Sequence, residues 1–257
     1  FDSNSQVSRI NLLAGKGSLQ VAPELFAILQ QAQAVHQRTQ GAFTPTLGQL
    51  TPKQTGSIQV PSDAFVKAAL PHTPMSHLHL AQNGRKVWLD DSQTQLDLGG
   101  IAKLPILQAG LETLKRQGIQ GAMINGGGDI VCSARSDGKP LRIGVRDAAN
   151  PSQLLAVLPL QSGIAASSGD YERFVMYQGQ KYHHIVSPKT GRPTQGIHGV
   201  TLVANHPDEV NGLGTAAMVV GSHNALPALQ KWGVAKALVM HSNGQVQATA
   251  ALRSTLL

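Results

Sequence analysis

The sequence predicts an α+β fold with largely antiparallel sheet, on three observations. Strand-like runs come in groups, and hairpin-forming dipeptides such as Asn83-Gly84 and Asn243-Gly244 sit between them. Helical periodicities are interspersed without a regular strand–helix–strand alternation. Gly 27 and Pro 14 supply the many turns that such a chain needs.

In order, residues 1–22 are polar and read as irregular. Pro23 opens a helix, where its missing N–H costs nothing. Leu25, Leu29, Ala32 and His36 mark one face of that helix, which ends near Gly41. His36 reads as a helix-face histidine without chemistry. Residues 41–48 form an extended loop, because Pro45 keeps Thr44 out of the helical region. Pro61 and Ser62-Asp63 start a short helix through Leu70, and 71–77 are loop. A hairpin follows at Leu78-His79-Leu80, then strand-like runs at 87–90 and 94–97.

Asp97-Leu98-Gly99-Gly100-Ile101-Ala102-Lys103 then joins strand to helix. Free N–H groups and the helix dipole favour an anion at such a junction. Gly99 and Gly100 let a ligand approach the backbone, and Lys103 adds a point charge suited to phosphate. The plainer alternative is a tight turn with an exposed lysine. Leu104, Leu107, Leu111 and Leu114 carry the helix, and Pro105 moves its start to about Leu104 or kinks it. Residues 122–125 read as a short buried strand. Gly126-Gly127-Gly128 interrupts it before 130–132 continues, a signal of close approach by backbone or ligand.

Strands are expected at 141–146, 154–160, 163–169 and 199–204, with a hairpin about Gly179. Residues 187–193 form a turn. One helix is expected over about 208–220 and another over about 224–232, before a closing hairpin at 235–250. No repeat or linker is visible, so 1–257 reads as a single domain. The chain begins at Phe1 rather than Met, so the start reads as trimmed or processed.

Bulk properties narrow the function classes. The net charge is +7, from 21 basic and 14 acidic residues, which favours anionic partners. The basic residues are scattered, and only five Phe and three Tyr are available for stacking, which argues against nucleic acid. No run of about eighteen apolar residues marks a transmembrane helix. The single Cys132 fits no metal-ligand spacing.

Several constellations carry candidate chemistry. Ala166-Ser167-Ser168-Gly169 is not a nucleophile elbow, which argues against serine hydrolysis. His183 and His184 point to opposite faces of a strand, so they do not ligate one metal together. One of them can face a cleft and touch a ligand, and the alternative is a satisfied core or surface histidine. Asn211, Gly214 and Thr215 lie within about one helical turn. Their oxygens suit a weak Mg2+ or Ca2+ site, or simply a polar stripe. No dinucleotide-binding glycine run is present.

In one order, these motifs resemble the FAD:protein FMN transferases, the ApbE-type flavin transferases. The resemblance covers nearly all of the chain. It runs through Ser5, Ser8, Arg9 and Asn11, then Gly41-Ala42-Phe43-Thr44-Pro45-Thr46, then 97–103 and Ile124-Asn125-Gly126-Gly127-Gly128-Asp129. It continues through Ile143-Gly144-Val145, Ala166-Ser167-Ser168-Gly169-Asp170-Tyr171, Tyr182-His183-His184-Ile185 with 188–193, and the Thr215 helix.

The resemblance implies two entwined α/β lobes with mainly antiparallel sheets, a T-fold-like architecture, with FAD between them. It implies that FAD is split and FMN is attached through its phosphate to a Thr or Ser hydroxyl of a target flavoprotein, with AMP released and Mg2+ assisting. The target would be an electron-transfer or respiratory protein. The setting would be periplasmic or membrane-tethered, with the tether on an N-terminal segment absent from this chain. Carried over position by position, flavin contacts would fall at Phe1, Ala42, Phe43, Thr44, Asp97, Lys103, His184 and Ile185. Metal would be held at Gly100, Asn211, Gly214 and Thr215, and the catalytic positions would be Lys103, Asn211 and Thr215.

Four departures from the family pattern stand out, the last covering two positions. Thr44 stands for an acid, Leu104 followed by Pro105 for a glycine, and Ser187 for an aspartate. Asn211 stands for the metal-binding aspartate, and Gly214 has no side chain where some members have a second acid. A neutral amide is a poorer Mg2+ ligand than a carboxylate. Two further readings therefore stand beside the transferase: an FAD-binding protein or carrier without metal-dependent catalysis, and an FAD pyrophosphatase.

Overall fold

The computed structural model describes residues 2–51, 60–148, 150, 152–171 and 174–255. The chain divides into two compact units, each built from two separated stretches. The first is Phe1–Gly100 with Arg173–Thr194, and the second is Ile101–Glu172 with Gln195–Leu257. The chain thus leaves the first unit and returns to it, the interleaving that the resemblance implies.

The first unit holds the helix Pro23–Arg38, the helix Asp63–Ala69 and a three-stranded sheet in the order Leu19–Gln20, Lys86–Leu89, Leu78–Ala81. The long helix buries Phe26, Leu29, Ala32 and Val35, a stripe rotated from the expected face. The opening residues are not irregular: Ser5 caps a helix Gln6–Leu12 by accepting the Ser8 amide. Only Ile10 of that helix is buried, so its apolar periodicity is too weak to read from sequence. The expected strand at 94–97 is reduced to one bridge, Leu47 with Gln95. Residues 71–77 tighten into 3-10 turns. The hairpin Phe174–Tyr177 with Gln180–His183 completes this unit. Its second strand ends at His183, and Val186 pairs with Pro193 across the next turn.

The second unit is organised on a six-stranded, wholly antiparallel sheet. Its order is Val246–Ala248, Lys236–His241, Ile197–Ala204, Gly163–Gly169, Asp129–Cys132, Met123–Gly126. Ile130, Cys132, Ala165, Leu238 and Met240 point to one face, where the hairpin Leu141–Arg146 with Leu154–Leu160 supplies Ile143, Val145, Leu158 and Leu160. Each buried Val, Leu, Ile or Met among them contributes about 1.5–3 kcal/mol. The other face carries the helices Lys103–Arg116, Leu213–Val220 and Ala225–Lys231.

Three expectations in this unit are corrected, and one is met. The three glycines do not interrupt a strand that continues. Gly127 and Gly128, at φ +64° and +89°, turn a hairpin in which Gly126 pairs with Asp129. The strand Met123–Gly126 is an edge strand with Met123 exposed, so it is not a buried one. The helix about Pro105 starts at Lys103, within one residue of the expected start, which puts the proline in the first turn, where no N–H is needed. The helix expected over 208–220 is two, Pro207–Val210 and Leu213–Val220, broken where Gly212 takes φ +74°.

Candidate active site

In the first unit the loop after Arg38 is built by local hydrogen bonds. Gly41 turns the chain at φ +83°. Thr39 Oγ1 donates to the Val35 carbonyl at 2.8 Å and accepts the Phe43 amide at 3.1 Å. His36 Nδ1–H donates to the Phe43 carbonyl at 2.8 Å. His36 thus fixes the loop, a role that its place on a helix face did not suggest.

Thr44 and Thr46 are buried, and a chain of hydroxyls runs inward from them. Thr46 Oγ1 donates to the Thr73 carbonyl at 2.6 Å, so Thr44 Oγ1 must be the donor across the 2.7 Å contact to Thr46 Oγ1. Beyond it the Asp97 amide donates to the Pro45 carbonyl at 2.8 Å. Asp97 Oδ1 accepts the Gly99 amide at 2.7 Å, which closes the turn on itself. Ala42, Phe43, Thr44 and Asp97 therefore belong to one hydrogen-bonded assembly. Phe1, which the resemblance places with them, lies outside the described residues.

Of the histidine pair, His183 is the core member: Nε2–H donates to the Thr194 carbonyl at 2.8 Å, and Nδ1 accepts the Ile185 amide at 3.3 Å. His184 is half-buried and meets His183 edge-on, with ring centroids 6.4 Å apart. Ile185 is buried. A cavity of about 400 Å³ in this unit is lined by His36, Gly41, Thr44, Met75, Pro188 and Lys189, among others. The turn that carries Pro188 and Lys189 is seated by Gly191 against Val66 and by Arg192, whose guanidinium donates to the Pro61 carbonyl at 2.8 Å and pairs with Asp63.

In the second unit Lys103 opens its helix and its Nζ lies 2.8 Å from Asp129 Oδ2. Asp129 is buried and its other oxygen accepts the Ser167 amide at 2.8 Å. Asp129 was visible in sequence only as the end of a glycine run, and it is the residue that aims the lysine. Ser168 lies on the helix-covered face, and Gly214 packs directly on its hydroxyl. Asn211 is buried at the helix break, and its Nδ2 donates to the Ile101 carbonyl at 2.8 Å. Thr215 lies in the first turn after that break. Among the described residues no histidine partners Ser167 or Ser168, and Ser167 Oγ meets Thr201 Oγ1 at 3.2 Å.

The ApbE family model matches residues 1–239. The chain belongs to the ApbE family. An FAD:protein FMN transferase of Rhodobacter capsulatus is 29% identical over 252 residues, covering 95% of this chain and 47% of that protein. The chain thus spans about half the length of that relative. An FAD:protein FMN transferase of Treponema pallidum is 28% identical over 268 residues, 97% of this chain and 74% of its own length. The crystal structure of an ApbE protein from Thermotoga maritima matches with TM-score 0.90 at 28% identity, over 99% of this chain and 84% of that one.

The positions that the resemblance assigns to a metal, each taken by itself, do not suit a resident Mg2+. Gly100 is exposed and offers only a carbonyl, Asn211 and Thr215 offer neutral oxygens, and Gly214 offers no side chain. The Asn211 amide N–H already occupies the Ile101 carbonyl. Among the described residues no group of three or more His, Cys, Asp or Glu is placed to hold a metal ion. A hard cation prefers anionic oxygens, and the carboxylate of Asp129 is spent on Lys103 and Ser167.

Proposed function

We propose that this ApbE chain is an FAD:protein FMN transferase. The observation that carries the reading most is Lys103, an ammonium fixed by buried Asp129 at the first turn of a 14-residue helix. Asp129 takes one of its three N–H donors, and the other two remain for a diphosphate. The helix start adds backbone N–H groups and a favourable dipole.

In the proposed reaction the hydroxyl oxygen of a Thr or Ser on the target flavoprotein attacks the FMN-side phosphorus of FAD. The bond from that phosphorus to the bridging oxygen breaks, AMP leaves with the bridging oxygen, and the hydroxyl proton passes to AMP or solvent. FMN remains on the target as a phosphate ester. Lys103 supports this by balancing charge on the phosphates. The flavin side of FAD is assigned to Ala42, Phe43, Thr44, Asp97, His184 and Ile185. Mg2+, which the resemblance implies, is assigned no ligand on this chain.

The target would be an electron-transfer or respiratory protein, and the setting periplasmic. The test is incubation with FAD and a candidate target domain, with AMP release and protein-bound FMN followed by mass spectrometry. FMN on a target hydroxyl with stoichiometric AMP supports the transferase. AMP and free FMN without a target would replace it by a pyrophosphatase.

A second reading, a flavin-binding protein without transfer, is favoured by one observation, the neutral Asn211 at the metal position. It predicts intact bound FAD while an established family transferase modifies the same target.

A further inference from the structure

We propose that Asn211 replaces a cation by a hydrogen bond: it fastens the start of the Leu213–Val220 helix to the backbone at Ile101, so the second unit forms no resident divalent site and FAD is held without one. The last clause rests on the FAD reading above.

The atom of Asn211 that lies 2.8 Å from the Ile101 oxygen must be the amide nitrogen, because two carbonyl oxygens would repel. The lone pair that the Ile101 carbonyl turns toward Asn211 is therefore already satisfied by an N–H. The amide's aim is set by the backbone. The Asn211 amide donates to the Pro207 carbonyl at 2.8 Å, and Gly212 turns the chain immediately after it. The residue is 3% exposed, so the bond is shielded from water and holds the segment in the FAD-free protein.

The second acidic position is closed by packing. A Cβ on Gly214 would lie 2.6 Å from Ser168 Oγ and 3.2 Å from Ser168 Cβ. No carboxylate fits there unless Ser168 moves. The remaining carboxylate of this network, Asp129, has one oxygen on Lys103 Nζ and the other on the Ser167 amide. A cation drawing on it would have to displace the Lys103 ammonium. The two changes at 211 and 214 thus remove charge together, and in each case a neutral polar group fills the space.

The test uses the whole chain. In the FAD-free wild type, Mn2+ is titrated and the free ion followed by electron paramagnetic resonance, and thermal unfolding is compared in millimolar Mg2+ and in EDTA. The expected results are no stoichiometric Mn2+ uptake and the same Tm in both. In Asn211→Asp the carboxylate faces the Ile101 carbonyl with no proton between them. Its Tm in EDTA falls by on the order of 5 °C, and Mg2+ restores part of that loss. Tight Mn2+ uptake by the wild type, a wild-type Tm that rises with Mg2+, or an Asn211→Asp variant with unchanged Tm in EDTA would overturn the proposal. If that variant does not fold, the wild-type titration decides alone. FAD retention is measured in parallel by equilibrium dialysis. Retention only with Mg2+ overturns the claim about FAD, whereas no retention in either condition sinks the FAD reading and leaves the cation statement to the Mn2+ titration.

Discussion

Asp129 holds Lys103 from behind: one carboxylate oxygen lies 2.8 Å from Nζ and the other accepts the Ser167 amide at 2.8 Å. The carboxylate is buried, whereas the lysine side chain is 41% exposed. The lysine ammonium is therefore held on one side by a buried carboxylate while the side chain remains open to solvent. Asp129→Asn keeps the shape but removes the charge that aims the ammonium. FAD affinity should fall roughly tenfold, with a larger loss in Lys103→Ala. Flavin fluorescence titration measures both. Equal affinity in Asp129→Asn and wild type would remove Lys103 from phosphate binding.

His36 should act on flavin binding without touching chemistry. His36→Ala removes the donor to the Phe43 carbonyl and frees the 41–48 loop. The expected result is a several-fold weaker FAD affinity with AMP formation at saturating FAD unchanged. A fall in the saturated rate with affinity unaffected would contradict a positioning role.

Gly191 should not tolerate a side chain. Its φ is +66°, and a Cβ there would lie 2.5 Å from Val66 Cγ1. Gly191→Ala should cost about 2–4 kcal/mol, from the left-handed backbone and the displaced Val66 together. Chemical denaturation measures it, and a loss below about 0.5 kcal/mol would mean that the seat is not packed as described.

Acid should weaken a surface clamp in the first unit. Asp90 accepts from His79 Nε2 and His77 Nδ1, each at 2.7 Å. Those bonds, His79 first, hold its carboxyl below the ordinary value. A carboxylate whose folded value is depressed stabilises fully above its unfolded value, and the gain is lost as pH falls through the folded one. The window is therefore below about pH 4. Because Asp90 is half exposed, Asp90→Asn should lower Tm by only about 1–3 °C at pH 7. The difference should shrink toward pH 3. A constant difference across that range would show that the clamp does not titrate.

Much of this was legible in the residues because local rules suffice for it. Pro23, Ser62, Asn243-Gly244 and the leucine spacing from Leu104 to Leu114 each specify their own element. The site motifs at 41–46 and 97–103 were likewise readable. What sequence hid depends on partners far along the chain. Asp129 aims Lys103 from 26 residues away, and His36 acts through a carbonyl seven residues on. Neither leaves a periodic signal. The break at Asn211-Gly212 was missed because Val210, Leu213 and Ala217 keep helical spacing across it. The Gln6–Leu12 helix was missed for the opposite reason, having only one buried residue to mark it.

The interrupted first unit has a consequence for biosynthesis. Its opening hundred residues emerge early, but the Gly191 turn that covers Val66, Leu50 and Leu70 belongs to Arg173–Thr194. The ribosome must first make the whole intervening stretch, which takes on the order of ten seconds at ordinary elongation rates. During that interval the apolar seat on the Asp63–Ala69 helix stays open to water, chaperones and proteases. Nascent chains stalled before residue 194 should be the protease-sensitive ones, and release of the last stretch should end that exposure.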